Sequence, residues 1–246
     1  MTFSPTLTCV VPARNESGHL EHLVNSILSV QEITNVVIVE GGSVDGTYEI
    51  ALKLSSLYPK RVVCMKQTGK GKFNAVLEGA SIHNSDFTMI WDADGTVPVE
   101  STKKIIQQAL SLNVFTMGDR LRGEIEPGAM QLANKLGNWL FAIAWAPINR
   151  CRPSDIFCGT KVAPTRVFEN IPQKMINADP YGDIALLITA RLLEINVKPV
   201  SVNYKARVYG ESKMQRWKMG LVFLRLTYLS YRQLIWGGKT VNHDKS

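Results

Sequence analysis

The sequence predicts an α/β fold: a mostly parallel central sheet flanked by helices, with an amphipathic helix at the C-terminal end. Three observations carry this expectation. Short apolar runs alternate with segments at helical spacing through the first half of the chain. A polar loop follows each of these apolar runs. The 246 residues, 45% apolar and 20% charged, have ordinary globular composition, and the chain is long enough to bury a large core. Strands that alternate with helices imply right-handed crossovers and parallel pairing.

Each element has its own signal. Residues 7–11 are apolar and read as a buried strand, and 12–18 as a loop. Leu20, Leu23, Val24, Ile27 and Leu28 follow at helical spacing. Residues 36–39 give a second strand and 41–46 a turn. Ile50, Leu54 and Leu57 mark a helix that stops before Pro59. A third strand at 62–65, a tight loop at 69–71 and a helix at 73–82 come next. A fourth strand at 87–91 leads through a loop at 92–98 to a helix at 102–112, and 114–117 is a fifth strand. Residues 129–246 are less regular. The charge-free stretch 136–149, which contains Pro147, reads as a buried or interfacial helix. Neither an internal repeat nor a glycine- or serine-rich linker divides the chain, so it reads as one unit with parts at 1–118, 119–213 and 214–236.

Composition bounds the function. The formal net charge of +7 suggests an anionic partner. Nucleic acid is disfavoured, because the aromatic residues do not interleave with Lys and Arg on an evident strand surface. Cys9, Cys64, Cys151 and Cys158 are too few and too scattered for a disulfide scaffold. Cys9 and Cys64 lie in apolar runs and are expected to be buried. The first residues lack the basic and apolar regions of a signal peptide, and no segment reaches the ~20 apolar residues of a spanning helix. The expected location is cytoplasmic, peripheral on a membrane at most.

Ligands of parallel sheets sit outside the carboxyl ends of the strands, which selects the loops 12–18, 40–46, 67–72, 92–96 and 118–123. In the fourth, Trp91-Asp92-Ala93-Asp94-Gly95 places two carboxylates two residues apart after a strand. Gly95 permits the turn that would converge them on one hard cation, with positions left open for substrate phosphates. Gly69-Lys70-Gly71-Lys72 opens a helix, where backbone amides and lysines suit a phosphate. It is not a Walker loop, and G-x-G-x-x-G after the first strand is absent. Arg14-Asn15-Glu16 and residues 40–47 place further polar groups at the same edge, although Ser43 or Asp45 equally serves as a cap for the next helix.

Taken together, Val11-Pro12-Ala13-Arg14-Asn15-Glu16, Val39-Glu40-Gly41-Gly42-Ser43-Val44-Asp45-Gly46-Thr47, Gly69-Lys70-Gly71 and Asp92-Ala93-Asp94 resemble the ordered motifs of family 2 glycosyltransferases. Tyr181-Gly182-Asp183 and the segment 200–213, ending Tyr209-Gly210-Glu211-Ser212-Lys213, are similar to the branch of dolichol-phosphate mannosyltransferases and bacterial polyprenyl-phosphate sugar transferases. The resemblance spans roughly residues 7–235. It implies a GT-A fold, a nucleotide-sugar donor, Mg2+ or Mn2+, and a polyprenyl-phosphate or other membrane-associated acceptor. Pro12, Arg14, Glu16, Glu40, Lys70, Lys72 and Asp92 would bind the donor, and Asp92 and Asp94 the metal. Thr160, Lys161, Arg207, Ser212 and Lys213 would lie on the acceptor side. Glu40-Gly41 replaces the usual Asp-Asp, which leaves the nucleotide open.

The implied reaction is an inverting displacement of a nucleoside diphosphate, with positive charge from Lys70, Lys72 and Arg14. Asp183 is the candidate base for a hydroxyl acceptor and Asp179 the second, while Asp183 as the cap of a helix at 184–194 competes with that role. A phosphate acceptor is already anionic and needs cationic guides more than a base. Met214, Trp217, Leu221, Leu224, Tyr228, Tyr231 and Ile235 form a helical stripe, with Lys218, Arg225, Arg232 and Lys239 as a basic line on the same helix. That pattern suits an anionic membrane surface, or equally a helix packed on the sheet. The chain lacks the Gln-x-x-Arg-Trp of processive synthases. A soluble hydroxyl acceptor, a nucleotidyltransferase and a non-catalytic sugar-nucleotide sensor are the competing functions. A nucleotidyltransferase would place a glycine- and lysine-rich loop after the first strand, and donor turnover separates an enzyme from a sensor.

Overall fold

The computed structural model describes residues 4–149, 151, 153–207 and 216–236. Strand β1 (Leu7–Ala13) leads to α1 (Leu20–Leu28), β2 (Asn35–Glu40) to α2 (Thr47–Leu57), β3 (Val62–Lys66) to α3 (Lys72–Ala80), and β4 (Phe87–Ile90) to α4 (Val99–Leu112). Next come β5 (Phe115–Asp119), a 3-10 turn at Arg120–Arg122, and the long α5 (Leu132–Asn149). The chain continues through β6 (Lys161–Pro164), the short α6 (Arg166–Glu169) and α7 (Gln173–Ala178), then α8 (Asp183–Leu192), β7 (Val197–Ser201) and α9 (Arg216–Trp236).

The seven strands form one sheet in the order β3-β2-β1-β4-β6-β5-β7. Strand β1 pairs in parallel with both β2 and β4. The chain runs outward to β3 and then returns to the other side of β1, which opens a crevice at the carboxyl ends of β1 and β4. Strand β6 alone runs antiparallel, between β4 and β5. Its reversed direction matters for function. The register Ile90↔Lys161 sets the start of β6 beside the carboxyl end of β4.

Helices cover both faces of the sheet, so the central strands are apolar at successive positions rather than at alternate ones. Val10, Val37, Val39, Ile90 and Phe115 join a core with Phe73, Trp145 and the 184–188 run of α8. Their neighbours Cys9, Val11, Val36, Ile38 and Met89 join a second core with α1 and α4. On α1, Leu20, Leu23, Val24 and Ile27 make the buried stripe that their spacing predicts.

Several expectations need adjustment. Helix α5 begins at Leu132, before the charge-free stretch, and α8 runs from Asp183 to Leu192. All four cysteines are free thiols, and Cys9 is buried as expected. Cys64 is only half-buried, because β3 is an edge strand. Met214 of the C-terminal stripe and Lys239 of its basic line lie outside the described residues, as do the side chains of Trp217, Lys218 and Ile235.

Helix α3 lies close on the sheet because Gly79 has no side chain. A methyl group there would sit 2.5 Å from Val10 Cγ1 and 2.9 Å from Val39 Cγ2. Overpacking of this kind costs about 1–3 kcal/mol, while alanine regains up to ~1 kcal/mol of helix propensity. We expect Gly79→Ala to be destabilising on balance, by about 1–2 kcal/mol, measured by urea unfolding.

Candidate active site

An open cleft of about 1590 Å³ crosses the carboxyl ends of β1 and β4. One wall is built from the loops that the strand-end rule selects. The loops after β1 and β2 are clasped together. Asn15, at φ 53°, receives a bond from Val44 N at 3.0 Å and donates its own N–H to Ser43 Oγ at 2.9 Å. Glu16 N reaches Thr47 Oγ1 at 2.8 Å, and Ser17 N reaches Asp45 Oδ2 at 3.1 Å. Burial works against the Asp45 carboxylate, but bonds from Thr47 and Ser17 hold its pKa below the usual aspartate value. Ser43 and Asp45 therefore tie two loops together, and Asp45 also holds the first residue of α2.

The glycine loop is held from behind. Thr68 N and Gly69 N bond the two oxygens of Glu78 at 2.8 and 2.7 Å, and Gln67 Nε2 bonds Gly71 O at 2.7 Å. Gly71 adopts φ 88° immediately before α3. Lys70 is exposed on the cleft wall and Lys72 half-buried beneath it.

The two carboxylates after β4 lie at the centre of the cleft. Asp94 Oδ1 accepts from Thr96 N and Thr96 Oγ1 at 3.2 and 2.9 Å, closing a turn in which Gly95 has φ 64°. Asp94 Oδ2 accepts from Arg207 NH2 at 2.5 Å, and Arg207 also lies 3.5 Å from Glu16 Oε1. The Lys72 ammonium pairs with Asp92 Oδ1. Burial opposes that ammonium, yet Asp92, Asp183 and Asp94 together hold its pKa above the ordinary lysine value. Burial likewise opposes the Asp92 carboxylate, and Lys72, then Lys161 and Arg120, hold its pKa down.

The opposite side comes from β6 and α8. Lys161 is 1% exposed, and its ammonium bonds Asp183 Oδ1 at 2.5 Å and the carbonyl of Cys158. Cys158 leads into Gly159, which lies flat against Asp92. A methyl group on Gly159 would fall 1.8 Å from Asp92 Oδ2. Asp183 opens α8 after Gly182, whose φ is 81° and whose missing side chain makes room for the Phe73 ring. Asp179 serves as the cap in its place. Its two oxygens accept from the amides of Tyr181, Gly182, Ile184 and Ala185 at 2.8 to 3.2 Å. Burial, then the charge of Asp183, pushes the Asp179 pKa up against those bonds.

The fold thus brings Pro12, Arg14, Glu16, Lys70, Lys72, Asp92, Asp94, Asp183 and Arg207 to one cleft. Glu40 is not among the residues lining it. It is buried, and its Oε1 accepts from Ser43 N at 2.5 Å within the turn. Thr160 and Lys161 are buried beside the cleft rather than open to an acceptor. Arg207 pairs with Asp94 and lies near Glu16. Ser212 and Lys213 lie outside the described residues. Arg225 and Arg232 are exposed on α9.

Some residues escaped the sequence reading. Arg120 lines the cleft, pairs with buried Asp155 at 2.5 and 3.0 Å, and lies over the Tyr204 ring. The strand-end rule selected its loop but no residue in it. Gly159 carried no local signal at all. Phe141, Phe157, Leu221, Phe223 and Leu224 give the far wall an apolar lining.

The donor set fits a hard divalent cation. The Asp92 Oδ1 atom is buried and, apart from the Lys72 ammonium, has no hydrogen-bond partner among the described residues. Asp94 stands two residues away on the same turn. No cluster of three His, Cys, Asp or Glu groups placed to hold an ion occurs among the described residues. Asp92 and Asp94 would give such an ion two carboxylate ligands, and substrate oxygens would complete the set, as is usual for Mg2+.

Comparison with known proteins agrees with this geometry. The sequence profile described as "Glycosyl transferase family 2" matches residues 8–164. The chain is 28% identical over 203 residues to "Glycosyltransferase AglJ" of Haloferax volcanii, covering 80% of this chain and 63% of that one. It is 28% identical over 239 residues to the "Dolichol-phosphate mannosyltransferase" of Pyrococcus furiosus, covering 95% and 65%. The chain thus spans less than two thirds of the length of either relative. Among solved structures, glucosyl-3-phosphoglycerate synthase from Mycobacterium tuberculosis, in complex with Mn2+, UDP and phosphoglyceric acid, superposes with a TM-score of 0.63 at 18% identity, covering 92% of this chain and 78% of that one. The fold is GT-A.

The buried Lys161–Asp183 pair yields a stability test. Removing one partner of such a pair costs about 3–5 kcal/mol, whereas replacing both by apolar groups is often neutral. We expect Lys161→Met to lose stability on that scale, and Lys161→Met with Asp183→Leu to recover most of it. Guanidinium unfolding of the two variants checks this.

Proposed function

The chain belongs to glycosyl transferase family 2, and from that premise we propose that it transfers a sugar from a nucleoside-diphosphate sugar to polyprenyl phosphate. The observation that supports this most directly is the division of one cleft into two chemistries. Its donor side gathers Asp92 and Asp94 with Lys70, Lys72, Arg14 and Arg207. Its far wall offers Phe141, Phe157, Leu221, Phe223 and Leu224, a lining suited to a hydrocarbon chain rather than to a soluble polyol.

In this reading the donor diphosphate lies over the glycine loop at the start of α3, where amides and lysines favour negative charge. Asp92 and Asp94 would hold Mg2+ or Mn2+, which when bound offsets charge on the leaving diphosphate. Lys72 stands ready on the same carboxylates. Its ammonium, with that of Lys70, adds fixed positive charge where the leaving group gains negative charge. The site is preorganised, because Glu78 and Lys161 hold their loops from behind and Gly159 fits flat against Asp92.

A phosphate monoester acceptor has a second pKa of ~6 and attacks without surrendering a proton. Asp183 then orients rather than deprotonates. A hydroxyl acceptor is the second reading, favoured by the fact that Asp183 lines the cleft itself, beside the cationic Lys72 and Lys161. There Asp183 would take the acceptor proton. Asp179 is unsuited to either role, since four backbone amides occupy both its oxygens.

The experiment is a transfer assay with nucleotide sugars, polyprenyl phosphate and Mn2+ or Mg2+. Asp92→Asn and Asp94→Asn are each expected to abolish product while leaving the unfolding midpoint near that of wild type. Full turnover in both variants, or in excess chelator, overturns the assignment. With a phosphate acceptor, Asp183→Asn, assayed below its lowered unfolding midpoint, should lower kcat less than tenfold. A hydroxyl acceptor predicts a loss of roughly 10²–10⁴. Nucleotide-sugar binding without transfer to any acceptor, and without donor hydrolysis, would identify a sensor instead.

A further inference from the structure

Both oxygens of Asp94 are engaged. Its Oδ1 accepts from Thr96 N and Thr96 Oγ1 at 3.2 and 2.9 Å, which fills both of that atom's lone-pair directions. Its Oδ2 accepts from Arg207 NH2 at 2.5 Å. The other carboxylate of the motif is engaged as well, since the Lys72 ammonium lies on Asp92 Oδ1. Each of the two groups suited to a divalent cation is thus paired with a monovalent cation that belongs to the protein.

The two cations are held differently. Lys72 is the first residue of α3, and the charge of Asp183 favours its ammonium as well as that of Asp92. It therefore keeps an anionic neighbour whatever happens at Asp92. Arg207 ends an extended stretch after β7 whose backbone is tied down. Asn203 N donates to Ser101 Oγ at 3.1 Å, Tyr204 N to Glu124 O at 2.8 Å, Lys205 N to Thr96 O at 2.8 Å and Ala206 N to Glu126 Oε2 at 2.6 Å. With four successive amides fixed, the guanidinium can leave Asp94 by rotation of its own side chain, and the stretch stays in place. The two carboxylates it bridges, Asp94 and Glu16, come from the loops after β4 and β1.

This arrangement sets a condition on cation binding. A divalent cation arriving by itself meets a guanidinium already seated on Asp94 Oδ2. It must repel that group from two carboxylates in a partly buried site, where screening is weak. A diphosphate changes the balance. It brings oxygen ligands for the cation, and it is an anion that a guanidinium binds with paired N–H bonds. Releasing Arg207 then exchanges one arginine–anion pair for another. We infer that Arg207 holds the place of the divalent cation at Asp94, so that the cation enters together with a diphosphate that receives the displaced guanidinium. This rests on the Asp92–Asp94 metal assignment of the proposed function and goes beyond it, since it makes a residue of the C-terminal part of the chain the competitor of the metal. Cation and diphosphate are then coupled through Arg207, and by linkage each tightens the other by the same factor.

The test is Mn2+ binding to the full chain, read from loss of the free-ion electron paramagnetic resonance signal, without nucleotide and with saturating UDP or GDP. Arg207→Gln removes the competitor. It should bind Mn2+ alone about fivefold or more tightly than wild type, the lower end of typical coupling between sites. Its affinity for UDP or GDP at saturating Mn2+ should fall, because the diphosphate loses a partner. These opposite signs separate the exchange from a merely structural role, which would move both affinities the same way. Arg207→Lys keeps a cation and should bind Mn2+ alone much as wild type does. Adding Asp94→Asn to Arg207→Gln should erase the gain, and Arg207→Met repeats the measurement if Arg207→Gln does not fold. Mn2+ binding by the uncharged variants that is no tighter than that of wild type overturns the exchange and leaves the metal assignment standing. No Mn2+ binding by any form, even with UDP or GDP, removes the metal assignment and the exchange with it.

Discussion

The site depends on one buried ammonium. Lys161 Nζ lies between the Asp183 carboxylate and the Cys158 carbonyl. A charge so deeply buried is tolerable only where it is paired and hydrogen-bonded. It therefore fixes the two groups it touches. Through Asp183 it positions the start of α8, and through Cys158 it holds the backbone that places Gly159 against Asp92. The Asp183 and Asp92 carboxylates, on opposite sides of the cleft, are thus both set by a single buried cation.

That cation reaches this point because of strand direction. In an all-parallel sheet, the start of β6 would lie at the far end from the ligand crevice. The antiparallel insertion of β6 between β4 and β5 brings its first residue to the carboxyl end of β4. The rest of the centre is held by ion pairs. Lys161, Asp183, Lys72, Asp92, Asp94 and Arg207 form a run in which each charge has an opposite neighbour. Such a run costs little to hold in a partly buried site. The carboxylates Asp92 and Asp94 have lysine and arginine side chains as their charged partners.

The cleft is asymmetric in a way that follows from which elements build it. Loops at strand ends supply amides, lysines and carboxylates, because backbone leaving a parallel sheet carries polar groups to the crevice. Helices α5 and α9 supply apolar side chains. Each of those helices buries one face against the domain and leaves another apolar face outward.

The sequence by itself determined the alternation of β1 to β5 with their helices, and the loops at which ligands collect. Apolar runs and 3.6-residue spacing are local signals, and so is Asp92-Ala93-Asp94-Gly95, whose turn needs only its own residues. Its reach ended where a residue acts through a partner distant in the chain. Glu40 stands in a donor motif, yet it turns inward to Ser43. Lys161 looked available to an acceptor, yet burial gives it a structural load. Asp183 was weighed as a helix cap, a role that Asp179 fills from four residues earlier. Arg207 and Gly159 meet Asp94 and Asp92 across 113 and 67 positions of chain, and no local pattern encodes those distances. Only the tertiary structure decided these pairings. Charge compensation and close approach are properties of packed space, set by the direction of β6 and by the loop before α8 meeting Phe73 of α3.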